Sequence, residues 1–459
     1  VFSKKDWQKD EYRLLLQQKF GFYTLTFYMK IKGKNLSPVQ MAKELWSLFS
    51  SDSLFRNSVY IMLSTGVMAG FGFIFWVITT HFYNSDEIGF ATTLISVTVV
   101  ISSWSLFGLN SALVRYLAQS RNANQVINTA MTVVAITTAA ASVIYLLGID
   151  YFTPKYHMLV ENPLYAILFV IFMVVVSLNS LTDSVFVAYR LAKYNLIVYT
   201  FFGLTKIALP LFLISLGAYG IFFSYTGAVI VSLFLSVFFM ARKFDYRLQP
   251  VIERDFVRQA SHFSMASYSA GIVASLPGFL VPIFIFNEIG EKDAAYFNIA
   301  STIIALIYII PQAITQSLFA EGSFQEKDFA IFVKKAIKLI IELLVPAILA
   351  VFVFGKYILL IFGKEYSTNS YQLLQIMSLT GIFLAIALIG STIMKIKHQM
   401  KEYILIHIIY CVATVGLLYV LAPLYGTPGI AWALLGGQAF LSFCFIIFYR
   451  KQLKRAFVG

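Results

Sequence analysis

The run Asn195–Gly217 reads NLIVYTFFGLTKIALPLFLISLG, 23 residues with a single charge, Lys206. A helix rises 1.5 Å per residue, so this run is about 34 Å long, enough to cross the ~30 Å hydrocarbon core of a bilayer. Eleven further runs share its character, and together they predict twelve spans at 57–80, 88–109, 126–148, 163–187, 196–216, 219–241, 262–286, 294–318, 333–354, 371–393, 402–421 and 428–449. The whole composition agrees. Of 459 residues 59% are hydrophobic and 12% charged, against about a quarter charged in soluble domains, and the mean hydropathy is +0.78. These values exclude a soluble globular protein, a disordered chain, a collagen and a disulfide scaffold. The fold class is all-α, a polytopic membrane protein.

The net charge of +13 on a soluble chain points to nucleic acid; here the basic residues sit between apolar runs and orient the protein instead, so no nucleic-acid partner is expected. Thirty of the 35 Lys and Arg fall in the N-terminal tail, the even-to-odd connections and the C-terminal end, while Lys155, Lys292, Lys356 and Lys364 fall on the opposite side. This asymmetry predicts a multi-pass protein of the cytoplasmic (inner) membrane with both termini in the cytoplasm. The first 50 residues are basic and polar, unlike a cleaved signal peptide, and Val39–Phe49 carries apolar residues at helical spacing, expected to lie on the membrane surface. The opposite-side connections are short, the longest being Gly355–Ser370, so no domain is inserted. There is no GxxxxGK[ST] for ATP; Gly70-Phe71-Gly72 reads as helix packing. Cys411 and Cys444 lie in apolar runs and read as packing residues.

The halves of the chain repeat each other. Gly220-Ile221 followed by Gly227 in span six matches Gly429-Ile430 followed by Gly436 in span twelve, and both spans end in a basic pair, Arg242-Lys243 and Arg450-Lys451. Span eight sets Asn298, Thr302, Ala305, Tyr308, Gln312 and Gln316 on one face; at an offset of 206, span two carries Thr92, Ser96, Val99, Ser102, Leu106 and Asn110. Six helices per half give both halves the same orientation, so the repeat is parallel, about an axis along the membrane normal. The organisation is then a basic tail at 1–55, a six-helix lobe at 56–243, a charged linker at 244–260, a second lobe at 261–451 and a short tail at 452–459, with a central cavity between lobes. A polar stripe facing lipid is unfavourable, so the stripe of span eight faces either that cavity or neighbouring helices that it hydrogen-bonds.

Lys206 is the sharpest chemical feature, because an ammonium at mid-membrane costs at least ~2.5 kcal/mol on insertion scales. Pro210 removes the bond to the Lys206 carbonyl and predicts a kink. A cation there suits a phosphate or diphosphate, or else it pairs with an acid on another helix. Asp183 is the obvious acid, but counting along spans four and five puts the two about 6 Å apart in depth. Asn179 and Asp183, four residues apart, share a face suited to a proton or ion. Glu342 on span nine has Lys338 four residues before it, for local pairing or for ion coupling. Arg56, Arg115, Arg258 and His262 lie at cytoplasmic ends, as orienting charges or as a basic vestibule. Span seven carries Ser261, Ser264, Tyr268, Gly271, Ser275 and Gly278 on one face, with Pro277 and Pro282 within it. No metal-ligand spacing, catalytic triad or carboxylate pair is visible. Neither metal nor cofactor is expected, and neither is enzymatic activity.

Several segments carry a family resemblance: Gly108-Leu109 to Arg115-Tyr116 closing span two, Tyr296 to Ala300 opening span eight, Pro311 to Phe319 closing it, and Gly217-Ala218-Tyr219-Gly220-Ile221 opening span six. From Arg56 to Lys451 the chain resembles the polysaccharide-repeat (O-antigen type) flippases of the multidrug/oligosaccharidyl-lipid/polysaccharide exporter (MOP) superfamily, which includes the MATE transporters. The resemblance implies twelve helices in two lobes around a cavity, and translocation of a polyprenyl-diphosphate-linked oligosaccharide to the outer leaflet for surface polysaccharide synthesis. It also implies cationic cavity residues for the diphosphate and sugar, a role carried onto Lys206 and Arg115, with Tyr268, Asn298, Tyr308, Gln312 and Gln316 as further cavity residues. Membrane lipids and glycan polymerase machinery are the implied partners of a monomer. Glu321 occupies the repeat position of Arg115, so the second lobe lacks the matching cation. The alternative is a multidrug/cation antiporter of the same fold using Asp183 and Glu342, which a lysine in the cavity disfavours.

Overall fold

The computed structural model describes residues 53–120, 122–324, 329–397 and 399–457. The basic tail and its expected surface helix lie outside the described residues. Among the described residues twelve helices are long and apolar enough to cross a membrane: α1 Ser53–Phe82, α2 Ser85–Ser105, α3 Ala123–Leu147, α4 Pro163–Ala188, α5 Lys193–Phe212, α6 Ala218–Phe244, α7 Arg254–Glu288, α8 Glu291–Phe324, α9 Phe329–Leu360, α10 Tyr371–Ile396, α11 Met400–Tyr425 and α12 Thr427–Phe457. Among the described residues there is no strand. Helices satisfy their backbone groups internally, which hydrocarbon demands. Their hydroxyls follow suit: Ser64, Thr79, Thr93, Thr98, Ser105 and Thr200 each donate to the carbonyl four residues back.

The expected spans are present, with two corrections. Span two is not one helix. α2 stops at Ser105, Phe107 and Gly108 take positive φ of 45° and 74°, and a separate helix, Leu109–Tyr116, carries Arg115. The connection Gly355–Ser370 is helical: α9 runs on to Leu360 and a short helix fills Lys364–Asn369, with Gly355 seated closely against Leu374 and Tyr371. Pro210 lies in the last turn of α5, and its carbonyl accepts a 2.7 Å hydrogen bond from Tyr83 Oη.

The repeat is visible atom by atom. A β-carbon on Gly220 would lie 2.1 Å from the Leu213 carbonyl oxygen, and one on Gly429 would lie 2.1 Å from that of Leu421. Ile221 and Ile430, which follow them, are both fully buried. Gly227 meets a Leu209 methyl at 3.0 Å where Gly436 meets a Leu417 methyl at 3.1 Å. In both halves the turn into the sixth helix presses that helix against the end of the fifth, closely enough that only glycine fits.

The helices gather into two compact units that do not coincide with the halves. The first comprises the described part of Val1–Gly72, with Ile101–Leu209 and Ser224–Met265; the second comprises Phe73–Val100, Pro210–Phe223 and the described part of Ala266–Gly459. Leu113, Ile127, Met131, Leu181, Phe186 and Met240 form the core of the first. Against it lies the linker, whose non-helical part is residues 245–253 and which is fastened to the start of α3. Asn128 donates to the Arg247 carbonyl (2.8 Å) and accepts from Tyr246 Oη (2.8 Å) and the Gln249 amide (3.1 Å). Asn124 and Thr129 accept from the Arg247 and Glu253 amides.

In the second unit α10 is central, packed against α8, α9 and α12, with Gly390 against the Phe445 ring; Cys444 packs at the edge of the same cluster. The first turns of α2 and α8 meet backbone to backbone: a β-carbon on Gly89 would fall 1.7 Å from the Glu291 carbonyl oxygen. By contrast Gly70 and Gly72 have no atom within 4 Å of a β-carbon position, so they are not the packing glycines expected; Phe71 between them is what packs, against Gly203. Gly89→Val should lower the thermal midpoint of the purified protein, overpacking costing about 1–3 kcal/mol, while Gly70→Ala leaves it unchanged.

Candidate functional site

In the first unit, α5 builds one functional face from Asn195, Tyr199, Phe202 and Lys206, at helical steps of four, three and four. The Lys206 ammonium stands 5.8 Å from the centre of the Phe202 ring and 5.4 Å from that of Tyr225 on α6. Aromatic faces attract a cation, each contributing about 0.5–2 kcal/mol as water is removed, and they hold it without neutralising its charge. Asp183 on α4 meets this face lower down: its Oδ2 accepts from Tyr199 Oη at 2.6 Å, and its backbone carbonyl accepts from Asn195 Nδ2 at 3.2 Å. Tyr199 lies seven residues before Lys206, about 10 Å along the helix. Asp183 Oδ1, Asn179 Oδ1 and Asn195 Oδ1 are buried oxygens without a hydrogen-bond partner. A carboxylate oxygen and two amide oxygens are the ligand types that a small cation takes.

Arg115, also in the first unit, is half-buried on its short helix with its guanidinium 5.4 Å from the Tyr116 ring. Arg56 is half-buried and Arg258 exposed; the side chain of His262 lies outside the described residues.

The second unit holds the remaining cavity candidates. Along α8, Ala305 and Gln312 are exposed and Asn298, Thr302, Tyr308 and Gln316 half-buried, whereas the opposite face, including Ile303, Ile307, Ile314 and Leu318, is buried. The stripe therefore faces away from the apolar packing. Tyr308 and Thr380 of α10 share a hydrogen bond through their hydroxyls, which fixes the ring. Asn298 Nδ2 is buried without a partner. The stripe on α2 is different: Thr92 and Ser102 are buried, and Thr92 and Ser96 donate to carbonyls of their own helix. On α7, Tyr268 is half-buried and open space lies beside Gly271 and Gly278. Glu342 pairs with Lys338 at 3.7 Å on an exposed flank of α9. Among the described residues no group of three or more His, Cys, Asp and Glu could hold a metal ion.

A polar clasp in the second unit escaped the sequence reading. Glu365 Oε1 accepts from Ser85 Oγ and from Tyr296 Oη, both at 2.7 Å, and Asn369 donates to Tyr296 Oη. Beside it Lys292 stands 3.8 Å from Asp86, and Thr427 donates to Asp293. The clasp joins the start of α2, from the first half of the sequence, to α8 and the helix after α9, from the second. One part was legible: Asn84 and Glu87 form a capping box, with each side chain accepting from the other's amide. The long-range partners had no local signal.

The Tyr296 hydrogen bond holds the Glu365 carboxyl below its usual value near 4.5, with Ser85 and Lys292 acting in the same direction against desolvation. A depressed carboxyl stabilises the fold above its unfolded pKa and ceases to do so as the pH falls through its folded pKa. Glu365→Gln should therefore lower the thermal midpoint at pH 7, and the gap to the wild type should narrow steadily below pH 4.5.

A family model described as "Polysaccharide biosynthesis protein" matches residues 54–319. A Shigella flexneri protein named "Putative O-antigen transporter" is 27% identical over 171 residues, 36% of this chain and 41% of that protein, so the match spans about two fifths of that relative. Among solved structures, an inward-facing multidrug resistance MATE family transporter of the MOP superfamily aligns with a TM-score of 0.69 at 13% identity, over 86% of this chain and 98% of that one. An outward-facing counterpart aligns with a TM-score of 0.58 at 14% identity, over 89% and 96%. At such identities the structures show the fold alone.

Proposed function

Because the chain belongs to the polysaccharide biosynthesis protein family, we propose that this membrane transporter of MOP fold is a flippase for a polyprenyl-diphosphate-linked oligosaccharide repeat unit. It carries the unit from the cytoplasmic to the outer leaflet by alternating access of a cavity between the sequence halves. The observation that supports this most is Lys206, a cation deep in a membrane helix and held between two aromatic rings. The rings steady the ammonium, and in this reading it is the charge that the diphosphate meets. Arg115 receives the anion nearer the cytoplasm; Tyr268, Asn298, Tyr308, Gln312 and Gln316 supply hydrogen bonds to sugar hydroxyls. Arg56, Arg258 and His262 form the basic vestibule. The protein sits in the cytoplasmic membrane with both termini in the cytoplasm, acts as a monomer, and delivers its product to glycan polymerase machinery. It makes and breaks no covalent bond.

The oxygens around Asp183 supply ion coupling: a proton or small cation bound there offsets the buried carboxylate and biases the lobes. Asp183 also supports a second reading, a multidrug/cation antiporter of the same fold. Mass spectrometry of polyprenyl-linked glycans in a strain lacking the protein separates the two. The flippase requires accumulated single repeat units and lost surface polysaccharide; an unchanged lipid-linked pool together with new drug sensitivity selects the antiporter.

Restoring the strain with Lys206→Ala should reduce glycan export about tenfold or more at equal protein level, since a charge-assisted contact contributes about 1.5–3 kcal/mol. Lys206→Arg should retain part of it. Normal export by the alanine variant removes Lys206 from the mechanism. Asp183→Asn should leave binding of the substrate intact while transport stops responding to an imposed ion gradient.

A further inference from the structure

The Glu365 clasp belongs to a longer seam that lies wholly within the second unit. From the first half of the sequence that unit takes helix ends. Phe73–Val100 holds the end of α1 and most of α2, and Pro210–Phe223 holds the end of α5 and the start of α6. Here they meet the second half through three kinds of contact. Phe73 of α1 meets Phe362, which follows α9, edge-on with ring centroids 5.1 Å apart, and Phe90 of α2 meets Phe286 of α7 at 5.9 Å. Gly89 brings the backbone of α2 onto the Glu291 carbonyl of α8. In the first turn of α2, Ser85 donates to Glu365 and Asp86 faces Lys292. The connections α1–α2, α7–α8 and α9–α10 thus share one end of the bundle, the outer end in the orientation read from the basic residues.

The two sides of the polar contact are built differently. Glu365 is held within its own half: Oε1 accepts from Tyr296 Oη, and Asn369 donates to that hydroxyl and to the Glu365 backbone carbonyl. Ser85 brings a single hydroxyl from the other half. Moving α2 away breaks one hydrogen bond to the carboxylate and leaves its partners from the second half in place. Glu365 is exposed, so water takes the place of Ser85. Asp86 and Lys292 have side chains 50% and 56% exposed, and an ion pair so open to water contributes little. At Gly89 no side chain of α2 interlocks with α8, so there the backbones part without repacking. The aromatic pairs seal the seam, and the polar contacts let it open.

We infer that this seam is the outer gate of the transport cavity, with Glu365 as its latch. The structure is closed toward the outside, and release requires the Ser85 hydroxyl to leave the Glu365 carboxylate while Glu365, Tyr296 and Asn369 stay together. The inference rests on the alternating-access reading above and is independent of which substrate is carried.

The test uses the full-length chain carrying Cys411→Ala and Cys444→Ala, with one new cysteine, Ala305→Cys, on the exposed stripe of α8. A membrane-impermeant maleimide is added to intact cells or to inverted membrane vesicles. With the clasp intact, the new cysteine should be labelled from the cytoplasmic side and scarcely from outside. Glu365→Ala should raise labelling from outside about tenfold, the effect of one charge-assisted hydrogen bond on a two-state equilibrium, and lower it from the cytoplasmic side. Ser85→Ala leaves the bond between Glu365 and Tyr296 in place and should shift labelling in the same direction, which keeps the inference testable should Glu365→Ala fold poorly. Outside labelling that neither variant changes, or that is already high with the clasp intact, overturns the gate. No labelling from either side overturns the cavity itself, and the gate with it. Labelling that shifts as expected, in a protein whose loss leaves the lipid-linked glycan pool unchanged, supports the gate and removes the flippase reading instead.

Discussion

Everything in this protein is subordinate to the cost of an unpaired polar group in hydrocarbon. Backbone groups meet it by forming helices, and most buried hydroxyls meet it by donating to the turn before them, as Thr79, Thr98 and Ser105 do. Polar atoms that escape this rule stand out. Asp183, Asn179 and Asn195 each keep a buried oxygen without a partner, and Lys206 is held by ring faces. All four lie on the adjacent helices α4 and α5. Other buried polar atoms without a partner, such as those of Thr138, Ser232, Asn298 and Thr414, are spread over other helices; what sets α4 and α5 apart is that a carboxyl group and an ammonium lie among theirs.

The duplication sharpens the point. Where architecture demands it, the halves have kept identical contacts: Gly220 and Gly429 press on a carbonyl at the same distance, and Gly227 and Gly436 meet equivalent leucine methyls. Where chemistry is concerned they diverge. Lys206, three residues before Leu209, corresponds to the fully buried Thr414, three residues before Leu417, and at the offset of 206 that relates α2 to α8 Arg115 corresponds to Glu321. The stripe that is accessible on α8 is largely turned inward and bonded to its own helix on α2. One ancestral bundle has supplied two scaffolds, of which the first holds the cations and the second the hydrogen-bonding face.

What could be read in advance follows the range of the forces involved. Twelve spans and the repeat were legible because hydrophobic burial writes itself into every window of twenty residues. Lys206 and Asp183 were legible as charges out of place. Tyr199, Phe202 and Tyr225, their actual partners, were not, since aromatic residues are common in spans and nothing local marks those that turn toward a charge. The break at Phe107–Gly108 was missed because a positive φ at one residue leaves hydropathy unchanged. Gly70 and Gly72 misled because a glycine pair in a helix signals close approach only if another chain is there to approach. The Glu365 clasp lay beyond reach because Ser85 and Glu365 are separated by 280 residues.

The fastened linker has a bearing on how the molecule comes into being. Its bonds reach back about 120 residues, to Asn128 from Tyr246 and Arg247, and all its partners exist once residue 253 has been synthesised. The core around Ile127, Leu181 and Met240 can therefore assemble and be tied to the linker as synthesis reaches α7, whose first turns complete it with Phe256 and Ala260. The first turn of α2 has no such option, for its partner at Glu365 is made far later. Synthesis thus finishes one end of the first bundle early and leaves the other end waiting for the second.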